Sequence, residues 1–110
     1  MNWLEISKYR YLSEKFIVKY EKYINWKCIS KNQILSEEFI HQYRDKVSWM
    51  NICRFQKLSE PFMRSHVEYL DWMFVSIYQN LSLEFLIEYE DKLHIDITHK
   101  YDKFLKKLNN

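Results

Sequence analysis

Five positions spaced 23 residues apart hold the side chains best suited to a binding chemistry: Lys8, Lys31, Arg54, Ile77 and Lys100. Four of the five are basic. Two residues further on stand Arg10, Gln33, Gln56, Gln79 and Asp102, and one residue earlier Ser7, Ser30, Cys53, Ser76 and His99. If the chain stacks identical units, one residue per unit forms a line, stepped by about 8–10 Å, the usual helix packing distance. A line of cations and amides can track phosphates, as one-base-per-repeat RNA readers do, or an acidic peptide. The same pattern also fits a purely structural use. Ser and Gln would then bond within and between units, while Lys stems cover apolar surface and hold their charge in water.

Other chemistry is poorly served. The histidines are His41, His66, His94 and His99. None is paired at i, i+4 with another histidine, and no Cys/His set has zinc spacing. There is no glycine, hence no phosphate-cradling Gly loop. No carboxylate pair and no Ser/His/Asp set stands out. The expectation is a protein that is not an enzyme and holds no metal or cofactor. Cys28 and Cys53 fall in different columns of the repeat and read as two small packed thiols, in line with intracellular usage.

The elements that must position the basic line follow from the repeat itself. Tryptophan recurs at Trp3, Trp26, Trp49 and Trp72, with Ile95 at the fifth position. Nine residues later come Leu12, Leu35, Leu58 and Leu81; ten later Ser13, Ser36, Ser59 and Ser82; thirteen later Phe16, Phe39, Phe62 and Phe85. A fixed period of this length is the signature of a solenoid. Repeats run 2–24, 25–47, 48–70 and 71–93 within one domain, 1–110, with a C-terminal cap over 94–110.

Each repeat has two helix starts. Asn2, Asn25, Ser48 and Asp71 precede the tryptophans, and such side chains accept a hydrogen bond from a first-turn amide. Leu-Ser-Glu marks the second start, with the glutamate placed where the helix dipole favours negative charge. Pro61 lies just inside such a start, where its missing amide costs little. In the second repeat, helix A is expected over 26–33 and helix B over 37–46, whose apolar residues Phe39, Ile40, Tyr43 and Val47 share one face. Aromatics six after the tryptophan (Tyr9, Phe55, Tyr78, Tyr101) widen helix A's apolar face, so A reads as the more buried helix. The tryptophans read as core, with each indole N–H bonded inside its own repeat. The fold class expected is an all-α solenoid of four two-helix repeats plus a degenerate helical cap. Helices this short are marginal alone, so stacking must supply the stability.

The ends differ from the middle. Helix A of the first repeat (Trp3, Ile6, Tyr9) has no neighbour on one side, which makes it a candidate association surface for a second copy or a partner. The fifth unit loses its tryptophan and its cap serine, replaced by Ile95 and Leu105. One helix over about 96–108 is expected there, with Lys103, Lys106 and Lys107 near its end. Formal charge runs +2, +1, 0, −3 and +2 over 3–25, 26–48, 49–71, 72–94 and 95–110, giving the chain's net +2. That gradient is unlike the strong basic face of a nucleic-acid binder. The acidic group Glu84, Glu88, Glu90 and Asp91 reads as a solvated face. No apolar run approaches a membrane span, so a soluble cytoplasmic protein is expected.

The phrase W-x-x-I-S-x-x-Q-x-L-S-E-x-F-I-x-x-Y-x-x-K-V/L, seen at 26–47, 49–70 and 72–93, resembles short helical repeats in proteins of large DNA viruses of protists, and in some phage and bacterial proteins. Departures are Arg10 for glutamine, Leu83 for glutamate, and the whole fifth unit. The resemblance carries over no catalytic residue. It implies an accessory protein acting in a host-cell cytoplasm. Three functions are open: a scaffold binding a host or defence protein; an RNA or single-stranded DNA binder along Lys8, Lys31, Arg54 and Lys100; and a self-assembling structural or virion component using the N-terminal end.

Overall fold

A computed structural model describes residues 2–9 and 11–93. The described chain is all helical, in eight short helices: α1 Trp3–Lys8, α2 Glu14–Lys19, α3 Trp26–Asn32, α4 Glu37–Gln42, α5 Trp49–Phe55, α6 Glu60–Ser65, α7 Trp72–Tyr78 and α8 Leu83–Glu88. Odd-numbered helices are the A helices and even-numbered ones the B helices. The expected C-terminal cap, with Lys100, lies outside the described residues. The molecule is elongated, measuring 59 × 23 × 18 Å. The spine is the row of A helices, with α1 packed on α3, α3 on α5 and α5 on α7.

Local sequence sets both ends of each helix. Asn2, Asn25 and Asp71 accept from the amides of Glu5, Cys28 and Phe74. The cap serines Ser13, Ser36, Ser59 and Ser82 accept from Phe16, Phe39, Phe62 and Phe85. Ser48 is the exception, because its hydroxyl takes the Asn51 side-chain amide instead. The A helices end where Gln33, Gln56 and Gln79 turn extended, with ψ of 148°, 145° and 151°. No described residue has positive φ. Every turn is therefore built from ordinary backbone, and the array needs no glycine.

Helix B is shorter than the 37–46 expected. It stops at Gln42, and Tyr43 enters the bridge region at φ −107°, ψ 28°. A tightened turn follows, with Lys46 N on Tyr43 O at 2.8 Å and Val47 N on the same carbonyl at 3.0 Å. The turn leaves the Arg44 carbonyl for another donor, the indole Nε1 of Trp49, at 2.8 Å. Trp72 bonds Val67 O in the same way at 3.3 Å. The indole partner thus lies in the preceding repeat, not in the tryptophan's own.

The core follows the columns. Ile29, Ile52 and Val75 from the A helices meet Ile17, Ile40 and Met63 from the B helices, all at 0% exposure. The tryptophans are half-buried against this core and lie on aromatics of their own B helix or the turn after it. Ring centroids are 5.1 Å apart for Trp26–Tyr43, 5.4 Å for Trp49–Tyr69 and 5.1 Å for Trp72–Tyr89. At the N-terminal end Trp3 rests on Tyr20 and Tyr23 at 5.1 and 5.4 Å.

Three kinds of polar contact recur along the junctions between repeats, although Cys53 stands in the serine column at the third and Gln33 makes only the Leu12 contact at the first. Ser7 and Ser30 each donate to the tryptophan carbonyl four residues back and accept the amide opening the next repeat, Asn25 or Ser48. Gln56 accepts from Leu35 N and donates to the carbonyls of Ser30 and Gln33. Gln79 repeats this one unit on, with Leu58, Cys53 and Gln56. Last, Glu14, Glu37 and Glu60 each hold the cap serine of the following repeat by amide and hydroxyl together. Such bonds satisfy backbone groups that would otherwise be orphaned where helices end.

Candidate interaction face

The cations and glutamines expected to share one line are separated by the fold. Lys8, Lys31 and Arg54 are exposed on the outer side of α1, α3 and α5. Gln33, Gln56 and Gln79 are buried at 2%, 7% and 4% exposure. Helix A ends at the glutamine, and the extended backbone there turns its side chain into the junction. The amides of Gln56 and Gln79 are spent on neighbouring backbone. Gln33 accepts from Leu12 N, but its Nε2 has no acceptor among the described residues.

The aromatics six after the tryptophan also differ from expectation. Tyr9, Phe55 and Tyr78 do not enlarge the buried face; they are 64%, 42% and 44% exposed. Two of them lie beside the basic line. Lys31 Nζ lies 5.5 Å from the Phe55 ring centre of the next repeat. The Arg54 guanidinium carbon lies 4.9 Å from Phe55 and 5.2 Å from Tyr78. Asn32 breaks this ladder opposite Lys8. Cation–ring contacts at exposed sites are worth about 0.5–1 kcal/mol each.

A second column joins this face. One residue after the tryptophan stand Leu4, Lys27, Met50 and Met73, all exposed and each one helical turn from the basic-line position. The turn-to-turn pairs are Leu4/Lys8, Lys27/Lys31, Met50/Arg54 and Met73/Ile77. The sequence signal for them was present in the i, i+4 spacing. Of the twelve large hydrophobic side chains exposed among the described residues, nine lie on an A helix or the loop leaving it. The stretches 25–36, 48–59 and 72–82 contain no Asp or Glu. Apart from Glu5 on α1 and Asp71 at the start of α7, the described acids lie on the B helices and the turns after them, where Lys46–Glu21 and Arg64–Glu88 pair at 3.8 and 3.0 Å. No ion pair among the described residues involves Lys8, Lys27, Lys31, Arg54 or Lys57.

Between the third and fourth repeats this face dips into a cleft of about 480 Å³. Arg54, Phe55, Lys57, Tyr78 and Asn80 line it, with Glu37 at the rim.

Other reactive groups are accounted for by packing. Burial pushes the Cys53 thiol up to about 12, while Cys28 is half-buried; both are free. His41 Nδ1 meets His66 Nε2 at 2.8 Å across α4 and α6. His66 Nδ1 lies 2.8 Å from the Phe62 carbonyl, which only accepts, so that nitrogen carries a proton. In the neutral pair His41 is then the donor. This pair joins two repeats, although its residues fall in different columns of the repeat. No group of three or more His, Cys, Asp or Glu among the described residues is placed to hold a metal ion. No helix among them is long and apolar enough to cross a membrane.

No family model matches the chain, and no curated protein or solved structure does. The face must be read from its own chemistry.

Ile6 is half-buried, and Trp3 is covered on one side by Tyr20 and Tyr23. Of the three residues expected to form an N-terminal association surface, Tyr9 is the exposed one.

Proposed function

We propose that the chain is a non-enzymatic scaffold that binds a protein partner along the outer face of its A helices. The observation that carries this is the lopsided surface: nine of the twelve large hydrophobics exposed among the described residues lie on an A helix or the loop leaving it, with cations on the same helices that have no ion pair among the described residues. Methionine, aromatic residues and arginine are the types enriched where proteins meet, and carboxylates are depleted there. An apolar patch rimmed by polar groups marks an interaction surface. The resemblance to viral and phage repeats suggests a host or defence factor as the partner. The buried glutamines support the stack and are left out of the binding face.

The test is affinity capture from host-cell lysate, with and without nuclease, using wild-type protein and Met50→Ser/Met73→Ser. A stoichiometric protein that survives nuclease and is lost with the double variant is the expected result. Equal recovery by both proteins contradicts the reading.

A second reading rests on the cation–ring ladder of Lys31, Phe55, Arg54 and Tyr78. Single-stranded nucleic acid binds where a basic track alternates with stacking platforms. Against it, the ring faces already carry the protein's own cations. This reading requires affinity that falls steeply with salt and falls further in Lys31→Glu/Arg54→Glu. A flat salt response excludes it.

A further inference from the structure

We infer that the cleft between the third and fourth repeats binds an acidic segment of the partner, with a carboxylate on Arg54 and a large apolar side chain beside it. This rests on the protein-binding reading above and names the partner's chemistry.

Arg54 is prepared for such a ligand. Its guanidinium carbon lies close to both Phe55 and Tyr78, at 4.9 and 5.2 Å. A ring offers no hydrogen-bond acceptor of the carboxylate kind, so a guanidinium beside two rings still has its N–H fork to give to a bidentate acceptor. No described residue supplies one: Arg54 has no hydrogen bond to an acceptor and no ion pair. Arg64, on the B-helix edge, contrasts with it. Its Nε holds Glu88 at 3.0 Å, and its terminal nitrogen reaches Glu60 at 3.5 Å. The two arginines of successive helices are thus one spent and one open.

Charge around the cleft agrees. Arg54 and Lys57 line it, and Lys31, outside the lining, has its Nζ 5.5 Å from the centre of the Phe55 ring. The one carboxylate at the rim, Glu37, has both oxygens engaged by Ser59, at 2.7 and 2.8 Å. Two lining cations, with Lys31 beside Phe55, against one occupied anion favour an acidic ligand. The volume of about 480 Å³ lies in the range of ligand pockets, about 300–1,000 Å³. Phe55 and Tyr78 give it apolar walls. Met50 and Met73 continue that apolar character on the same helices, which a phosphate backbone would not need.

The experiment pans a random 12-residue peptide phage library on the immobilised full-length chain. Enriched sequences are expected to combine Asp or Glu with aromatic or aliphatic residues. A labelled peptide of that class should bind about tenfold more weakly to Arg54→Gln, since a charge-assisted bond carries about that much. Arg54→Lys should fall in between, keeping the charge and losing the fork. Arg64→Gln should bind as wild type, which separates the cleft from a general charge effect, and circular dichroism should show all three folded. Basic or neutral consensus peptides, no enrichment, or affinity unchanged in Arg54→Gln overturns the inference. Binding of a labelled 20-nucleotide oligo-dT with the same Arg54 dependence, in place of peptide, also overturns it. Undiminished capture of a nuclease-resistant partner by Arg54→Gln would sink the cleft and leave the protein-binding reading standing. Absence of any such partner for wild type would sink the latter.

Discussion

The carboxylate of Glu37 reaches out of its own repeat to Ser59, accepting the backbone amide at 2.7 Å and the hydroxyl at 2.8 Å. That serine in turn caps α6 through Phe62 N. One glutamate therefore supports both the junction and the start of the next helix. Glu37→Ala should lower stability by about 1–2 kcal/mol, because the bonds are charge-assisted but partly solvated. For a domain near 100 residues, each 1 kcal/mol corresponds to a melting temperature lower by roughly 4–8 °C. A thermal scan checks it, and an unchanged midpoint would show that the contact adds nothing.

The glutamine column gives a graded prediction. Gln56 satisfies Leu35 N and two carbonyls, so Gln56→Leu strands three backbone groups in a buried junction. Each stranded group costs about 1–3 kcal/mol, so a loss of about 3 kcal/mol or more is expected. Gln33→Leu should cost less, since only the Leu12 amide loses a partner. Urea unfolding of the two variants measures the order. The reverse order would contradict the junction described.

Cys53 makes a pH prediction. Desolvation raises its thiol to about 12, above the ordinary value of 9.0. A folded value above the unfolded one gives stability that is complete below about pH 9 and is lost as pH rises towards about 12. Thiol reactivity follows: at pH 8 a disulfide reagent should titrate Cys28 in the native protein and both cysteines in guanidinium. Fast modification of Cys53 in the native state would show that its burial is incomplete.

Much of this architecture was legible because a 23-residue period repeats the same local instructions. Caps at Asn25 and Ser36, core at Ile29 and Phe39, and the stacking of short helices all follow from spacing. What was illegible involves residues with two adequate uses. Phe55 and Tyr78 fit a core stripe as well as a cation-covered surface, and only the end of helix A at Gln56 and Gln79 decides. Glu37 has a sufficient local reason to stand in the first turn, so its bond to the next repeat was hidden. A clue existed: the glutamate is lost at Leu83 in the fourth unit, and the serine it would hold is lost at Leu105 in the fifth. The His41–His66 contact left no trace, as it occurs once and not per repeat.

The N-terminal end offers a separate prediction. Trp3 is stacked on Tyr20 and Tyr23, so the end presents less apolar surface than its sequence suggests. The chain should run as a monomer, with light-scattering mass independent of concentration. A dimer dispersed by Tyr9→Glu would instead support self-assembly through that end.

The central claim is that the A-helix face is where a partner docks, and hydroxyl-radical footprinting of the purified complex tests it most directly. Methionines and aromatic rings oxidise readily, and Met50, Met73, Phe55 and Tyr78 all stand exposed on that face in the free chain. Binding should protect these four, while Tyr23 and Ile87, exposed elsewhere on the chain, stay as reactive as before. Protection of Tyr23 and Ile87 with Met50 and Met73 still oxidised would contradict the account.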